Sequence, residues 1–334
     1  MQRFWTAALG GAVVIGLGGA ALAADWQPDK PVTIIVPWAA GGSTDQVTRV
    51  LGGELESALG QSVVIVNQPG ASGSVGTKSA WDAPHDGYTW AAGAAQDLGT
   101  YPVLGMLDQT LDDWRLYLDV ANVSVIGVNP DAPWQDFGEL LEDFKQRGSE
   151  ISVATAGQTS AGHNAMEALA QQTGIEYKHV TYDGGNPAVI ATVAGETQVT
   201  TQLASEQAEM IRGGRLRPLA VLGTEPLELA GHGTIPSVTE WVPDIALGTN
   251  YFGIWAPADV PEEVFATMDQ IWQDKIAGSK ALKDYAADRG ALFTPHHGED
   301  AHERAMGMVR QNAWLLYDAG KAARSPEEFG IERP

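Results

Sequence analysis

Glycine-rich turns supply the groups of this sequence that are best suited to hold an anion. Residues 37–45 read PWAAGGSTD, and residues 70–73 read GASG. Each turn precedes a segment with helical periodicity, and the free N–H groups at a helix start attract negative charge. Paired glycines also let a ligand approach the backbone closely. The turns therefore predict a site for the acid group of a small molecule; the alternative is a tight strand-to-helix connection without a ligand.

The side chains in and near these turns are uncharged donors rather than bases. None of the turns contains Lys or Arg, so an arginine clamp is not evident, and the hydroxyls of Ser72, Thr159 and Ser160 would assist the backbone. Thr159 and Ser160 can equally be helix caps. Trp38 and Tyr182 can pack against a ligand's carbon skeleton, or belong to the core.

Motifs that would indicate an enzyme or a metal site are missing from the sequence. There is no Cys, which excludes disulfides, thiolate metal sites and cysteine nucleophiles. The string GASGS lacks the last glycine of a nucleophile elbow, and no dinucleotide or Walker loop occurs. The acidic, histidine-rich stretch 296–303 has neither of the two zinc-protease spacings. We therefore expect no catalytic residue, no metal and no cofactor; an exported enzyme acting on a small acid is the alternative.

Charge and the N-terminal segment indicate the surroundings in which the protein works. Lys and Arg number 20 against 42 Asp and Glu, a formal net charge of -22, which disfavours nucleic acid and anionic lipid as partners. Residues 1–23 combine Arg3, an apolar run and the terminal string ALA, the pattern of a cleavable signal peptide. An uncleaved anchor is the alternative. No later segment has the 18 or more apolar residues that span a bilayer. We expect an exported, soluble protein.

The elements that would position the first turns alternate between strand and helix. The sequence predicts strands at 32–36, 63–67 and 88–92, with helices up to 59 and 81 between them. Ser43 and Gln46 fit a capping box at the start of the first helix. Such an order implies right-handed crossovers and a parallel sheet whose ligands lie beyond the carboxyl ends of the strands. The loop 93–96 also falls at that edge.

A second region repeats this pattern. A strand at 151–155, the turn 156–162 and a helix from Ser160 are followed by a strand at 177–182 and the turn 183–187, where Asn186 is a good N-cap and Pro187 a good first helical residue. An apolar run at 121–129 precedes this region. Short strands are predicted at 199–203 and 216–222, a further strand at 250–256, and helices at 137–144, 262–277, 279–288 and 299–319. This order predicts an α/β protein with two lobes, each a mostly parallel sheet flanked by helices, and a ligand cleft at the hinge between them. We expect lobe 1 to comprise residues 24–121 and 223–334, and lobe 2 residues 122–222.

Several stretches, in order along nearly the whole mature chain, resemble the solute-binding receptors of tripartite tricarboxylate transporters, the Bug family. They are KPVTIIVPWAAGGSTD (30–45), LGQ (59–61), VNQPGASG (66–73), PHDGYT (84–89), YDGGNPA (182–188), IRGGRLRPLAV (211–221), IPSV (235–238) and GIWAP (253–257).

The resemblance implies a monomeric periplasmic-binding-protein type II fold that closes on a small organic carboxylate. It also implies that the closed receptor delivers this ligand to a two-component membrane permease. The implied contacts are Trp38, Ala39, Ala40, Gly41, Gly42, Ala71, Ser72, Gly73 and Gln96 in lobe 1, and Gln158, Thr159, Ser160, Tyr182 and Gly184 in lobe 2.

The sequence departs from the family pattern at two places. Gln68 stands where an arginine is usual, and Thr201 with Gln202 stands where an apolar residue and an acid are common. Gln202 is therefore expected to line the cleft with a neutral amide. For this reason, the substrate of any one family member is not assigned to this protein. A receptor for an amino acid of the ABC type remains an alternative within the binding proteins.

Overall fold

The computed structural model of the protein describes residues 26–245 and 247–334. The predicted signal peptide, residues 1–23, lies outside the described residues. Within the described part of the chain, none of the helices combines the length and the apolar character that crossing a membrane requires.

The strands and helices alternate along most of the chain. The strands are β1 (Val32–Val36), β2 (Val63–Asn67), β3 (Thr89–Ala94), β4 (Trp114–Asn122), β5 (Ser124–Val128), β6 (Ser152–Thr155), β7 (Lys178–Thr181), β8 (Val199–Thr200), β9 (Arg217–Leu222), β10 (Leu227–Leu229), β11 (Gly233–Ile235), β12 (Asn250–Pro257) and β13 (Leu292–His297). The α-helices are α1 (Ser43–Leu59), α2 (Ser74–Trp81), α3 (Asp97–Val103), α4 (Phe137–Arg147), α5 (Ala161–Thr173), α6 (Gly185–Val193), α7 (Ala204–Arg212), α8 (Glu262–Asp274), α9 (Lys280–Arg289) and α10 (Gly298–Asp318).

Two mixed sheets define two lobes. The first sheet has the strand order β13-β4-β12-β3-β1-β2, and the second has the order β7-β6-β8-β5-β9. In the first, β1 is parallel to both β2 and β3, as the alternation of strands and helices predicts. In the second, β6 is parallel to β7 and β8. The remaining pairs of both sheets are antiparallel. The predicted α/β fold with two lobes is confirmed, but the sheets are mixed rather than mostly parallel, because β12, β4 and β13 in the first sheet and β5 and β9 in the second join by antiparallel pairing.

The chain passes from the first sheet to the second with only Val123 between β4 and β5. The sequence analysis treats 121–129 as one apolar run, whereas the structure divides it between the end of β4 and the whole of β5. Hydrophobicity alone cannot mark this change, because the end of β4 and all of β5 are buried without alternation. Residues 223–249 carry the chain back to the first sheet.

Each sheet is covered by helices on both faces. In the first lobe, α1, α8 and α9 contribute to one core and α3 and α10 to the core on the other face. In the second lobe, α4 and α5 pack on one face, and α6 and α7 on the other. The sequence analysis did not predict the elements α3, β4, α7 and β13. Two of them, α3 and α7, carry acids that line a cavity between the lobes.

Helix α1 begins at the predicted turn, but its first residues differ from the predicted capping box. The N-cap is Gly42, and Ser43 is the first helical residue. Gln46 donates instead from its side-chain nitrogen to the Gly41 carbonyl at 2.7 Å. Val47, Leu51 and Leu55, four residues apart, are buried against the sheet, which fixes the direction in which the helix start points.

Helix α6 also starts earlier than predicted. Its N-cap is Gly184, so Asn186 and Pro187 lie inside the first turn rather than at the cap and the first position. Glycine is needed here because a Cβ on Gly184 would lie 3.1 Å from the Ala39 nitrogen. The start of α6 therefore lies directly against the turn that precedes α1.

A pair of glycine substitutions tests the packing of the first lobe, one in strand β12 and one in helix α1. Gly253→Ala is expected to lower the free energy of unfolding by about 2 kcal/mol or more, since its Cβ would lie 2.1 Å from the Tyr117 carbonyl oxygen in the neighbouring strand. Gly53→Ala is expected to raise that free energy by about 0.5–1 kcal/mol, because nothing lies within 4 Å of its Cβ position and alanine favours helix. Urea unfolding measures both; equal effects of the two changes would contradict this description.

Candidate functional site

The turn between β1 and α1 is held by its own hydrogen bonds. The Gly41 N–H donates to Asp45 Oδ2 at 2.9 Å, and Asn67 Nδ2 donates to Asp45 Oδ1 at 2.9 Å. Burial opposes ionisation of Asp45, but hydrogen bonds from Arg49, Gly41 and Asn67 outweigh it and lower the pKa of this carboxyl. Asp45 therefore stabilises the turn from within, as expected for an acid in the first turn of a helix.

The second turn contains residues in a strained conformation. Ala71 and Ser72 have positive φ values of 43° and 55°, which residues other than glycine seldom adopt. This conformation directs both oxygens of Ser72 toward the second lobe. Ser72 Oγ accepts from the Gln158 N–H at 3.0 Å, and the Ser72 carbonyl accepts from Thr159 Oγ1 at 2.9 Å.

Further hydrogen bonds join the same turns across the cleft. The Ala39 N–H donates to the Asp183 carbonyl at 2.9 Å. The Ser43 N–H, at the start of α1, donates to Glu206 Oε1 at 2.9 Å. The turns that the sequence assigns to a ligand thus contact one another directly, and the lobes are closed.

The predicted aromatic and amide residues divide between core and cleft. Trp38 is buried in the first-lobe core and also lines the interlobe cavity. Tyr182 is half-buried and lines a second, more open cavity. Gln96 is only 1% exposed, and among the described residues neither side-chain atom Oε1 nor Nε2 has a hydrogen-bond partner. Ser160 is the N-cap of α5 and also lines the interlobe cavity.

Two cavities lie between the lobes. The first, of about 30 Å³, is lined by residues of both lobes, among them the predicted Trp38, Gly42, Ser160 and Gln202. The second, of about 490 Å³, is lined by the predicted Ala71, Ser72 and Tyr182, and Ala156 borders both. The other predicted residues line neither cavity but lie in the surrounding turns and loops: Ala39, Ala40, Gly41, Gly73, Gln96, Gln158, Thr159 and Gly184.

Two acids in the first cavity are absent from the predicted site. Asp97 follows Gln96 at the start of α3, and Glu206 lies in the first turn of α7. Asp97 lies just beyond the carboxyl end of the parallel strand β3, and this position could have identified it from the sequence as a residue of the cleft. Glu206 offered none, because the short helix that carries it was not recognised.

Glu206 lies where backbone donors of both lobes meet. Besides the Ser43 N–H, the Leu203 N–H donates to its Oε2 at 3.3 Å. With its carboxamide nitrogen turned toward Glu206, Gln202 donates to Oε2 at 3.0 Å, while its oxygen accepts from the Ala156 N–H at 3.0 Å. Burial raises the pKa of Glu206 to about 7, against the opposing effect of the two backbone hydrogen bonds.

The histidine-rich stretch at 296–303 lies away from the cleft and forms separate ion pairs. His296 contacts Asp300, His297 Nδ1 lies 3.1 Å from Asp269, and His302 Nε2 lies 2.7 Å from Asp112. Within residues 26–245 and 247–334, no three potential ligands of His, Cys, Asp or Glu come together as a metal ion would need.

Comparison with known proteins identifies relatives over most of the chain. A model described as "Tripartite tricarboxylate transporter family receptor" matches residues 47–290. The protein BugT of Bordetella pertussis is 27% identical over 316 residues, covering 89% of this chain and 94% of that protein. A UPF0065 protein encoded between tcbD and tcbE in a Pseudomonas species is 29% identical over 248 residues, 72% of each chain.

Solved structures share the fold. The periplasmic binding protein BugD aligns with a TM-score of 0.80 at 24% identity, covering 88% of this chain and 99% of that one. A Rhodopseudomonas palustris protein, MatC with bound malate, aligns with a TM-score of 0.76 at 20% identity, covering 86% and 99%. A second R. palustris protein, Rpa4515 with adipate, aligns with a TM-score of 0.79 at 24% identity, covering 89% and 99%.

The raised pKa of Glu206 makes a prediction about stability. Between its ordinary pKa of 4.5 and its folded value of about 7, the native state binds more protons than the unfolded state. The contribution of Glu206 to the free energy of unfolding therefore falls as pH rises through this window. Glu206→Gln should flatten the decline between pH 5 and 7.5, measured by urea unfolding.

The matched control is Glu142→Gln, which removes one carboxylate from an exposed position of the second lobe. It should leave the decline of the free energy of unfolding with pH intact. Asp119 has a pKa raised by burial to about 8, so part of the decline is expected to persist in both variants. An undiminished decline in Glu206→Gln would show that its carboxyl is not buried in the native state.

Proposed function

This chain belongs to the tripartite tricarboxylate transporter receptor family, and on that premise we propose that it captures a small organic carboxylate between its lobes and presents it to a two-component membrane permease. The family and the structural neighbours are binding proteins rather than enzymes, so the expectation of a receptor rather than an enzyme is confirmed. The membrane permease is the partner that the family description implies.

The observation that carries the proposal is the direction of the donors at the cleft. The N–H groups of Ala39, Ser43 and Gln158 each point across it and end on an oxygen of the opposite lobe. A ligand carboxylate would offer oxygens of the same kind to donors from both lobes. Because exchanging one oxygen for another conserves the number of hydrogen bonds, a ligand can enter without leaving backbone groups unpaired.

Closure and opening would occur about the two chain crossings. We place the lobe boundaries as the sequence suggests, with residues 24–121 and 223–334 in lobe 1 and 122–222 in lobe 2. Val123 and the segment that returns the chain from β9 to β12 would then form the hinge, because the chain crosses between the lobes at these two places. In the closed form the facing turns would exclude water from the site, which would strengthen the hydrogen bonds to the ligand.

The proposed contacts are those of the turns that face one another. Residues 38–42 and 71–73, with Gln96 nearby, would serve the first lobe, and Gln158, Thr159, Ser160, Tyr182, Gly184 and Gln202 the second. Each helix-start interaction contributes about 0.3–2 kcal/mol. Several such interactions are compatible with micromolar affinity, about -8 kcal/mol.

The ligand class follows from the family and from two relatives of the same fold. Malate and adipate, found in two structural neighbours, are both dicarboxylates. We propose that the present protein takes a carboxylate of similar size and works as a monomer in the periplasm, to which the cleavable leader 1–23 directs its export.

A thermal-shift screen of mono-, di- and tricarboxylates against the mature protein tests the proposal. At least one organic acid is expected to raise the unfolding temperature in a concentration-dependent way, because a ligand that binds only the folded state stabilises it. Sodium chloride at the same ionic strength is the control. Failure of every acid, confirmed by calorimetry, would contradict the proposal.

A glycine of the second turn provides a site-directed test. Gly73→Val should weaken carboxylate binding by more than about tenfold, or about 1.4 kcal/mol, because a side chain there would lie 2.6 Å from the Tyr101 hydroxyl and 2.9 Å from the Trp38 ring and displace the turn. Gly105→Val is the control: its φ of 70° is comparable, and its Cβ would meet only Ala323 at 3.4 Å.

Both variants bear the same backbone strain, and circular dichroism would establish that both remain folded. The Gly105→Val protein should bind as the wild type does. Equal affinities of the two variants for the ligand would show that the second turn does not contribute to binding. Gly41→Val is a further test, since its Cβ would lie 3.0 Å from Asn186 Nδ2 across the cleft.

A further inference from the structure

The first of the two interlobe cavities, which Gln202 and Ser160 line, contains two carboxyl groups, and none of the described residues that line it is a base. Asp97 of the first lobe and Glu206 of the second both line it. No Lys, Arg or His is among the described residues that line the same cavity. A buried carboxyl without a counter-charge is costly, so this pair needs an explanation other than the stability of the fold.

Asp97 is directed into the cavity without a partner. Its side chain is 2% exposed, and among the residues that the structure describes its Oδ1 has no hydrogen-bond donor. Burial raises the pKa of Asp97 well above its usual range. An unpartnered carboxyl oxygen in a closed cavity is a site at which a donor from a ligand would be strongly favoured.

Glu206 occupies the position at the start of α1 that was expected to attract an anion. Its Oε1 accepts the Ser43 N–H at 2.9 Å, and a Cβ on Gly185 would lie only 2.0 Å from its Oε2. A ligand carboxylate placed there would have to displace Glu206 and would be repelled by it. The anionic end of a ligand is therefore better placed at the second cavity, beside the hydroxyls of Ser72 and Tyr182; the Asp183 carboxylate also lines this cavity but is exposed to solvent.

We propose that the ligand carries a protonated amine as well as a carboxylate, and that Asp97 and Glu206 accept the amine in the interlobe cavity while the turns around Ser72 hold the carboxylate. The ligand class is thus an amino acid or another ammonium carboxylate. This inference depends on the proposed receptor function and adds the specificity of its site. The cavity of about 30 Å³ has room for roughly one water molecule, so the lobes must separate to admit such a ligand.

Binding of an amine would also explain how the two acids can lie in the cavity without a base beside them. A single ammonium placed at the two carboxyls supplies the missing positive charge, and one of its three N–H groups can satisfy the unpartnered Asp97 Oδ1. A dicarboxylate without an amine would instead bring further negative charge to two acids. Even one charge-assisted hydrogen bond to the amine predicts a preference of about tenfold or more for the ligand that carries it.

Calorimetry at pH 7.5 with two matched ligand pairs tests this inference. The pairs are glutamate with glutarate, and 5-aminopentanoate with pentanoate, each differing only by the amine. The wild type should bind at least one amino member about tenfold more tightly than its partner. Glu206→Gln and Asp97→Asn should each reduce that ratio to about threefold or less, whereas the exposed Glu142→Gln should preserve it.

The ratio within each variant separates recognition of the amine from a structural effect. A variant that merely distorts the cleft would weaken both members of a pair alike and leave the ratio unchanged, which would contradict the inference. It would also be overturned if wild type bound the partner without the amine equally well. Absence of binding by all of the acids, including the wider carboxylate screen, would instead count against the receptor function itself.

Discussion

The closure of this protein depends on backbone N–H groups that have no partner within their own lobe. A turn leading from a strand into a helix leaves several such groups free, and buried N–H groups must be paired. Here the Ala39, Ser43 and Gln158 N–H groups each find an oxygen on the opposite lobe. The closed arrangement of the lobes is thus coupled to the hydrogen bonding of the turns, and any ligand must compete for the same donors.

The rest of the fold serves to bring these turns together. Parallel pairing of β1 with β2 and β3 places the first two turns at one edge of the first sheet. In the second sheet, parallel pairing of β6 with β7 does the same for the turns at 156–160 and 182–185. Because the chain crosses between the sheets at Val123, the two edges face each other over a short distance.

Charge gives the cleft its unusual character. The protein has a formal net charge of -22, and two of its acids line the first interlobe cavity, where none of the described lining residues is a base. In such a field an anion can be held only by local dipoles and hydrogen bonds, and the position nearest to the start of α1 already belongs to Glu206. In the proposed binding mode, hydroxyls and N–H groups of the turns hold one end of the ligand and the two carboxyls hold the other.

The sequence alone determined the fold class, the family and the turns that meet at the cleft, because strand and helix periodicity and the glycine turns are local properties of the chain. It did not reveal that 121–129 is shared between two strands, that Gly42 and Gly184 are the helix caps, or that α7 brings Glu206 to the start of α1. Ser43 and Glu206 are more than 160 residues apart, and no local pattern records their contact. Only the packing of one lobe on the other decided which oxygen each free N–H group meets, and hence which charges line the cavity.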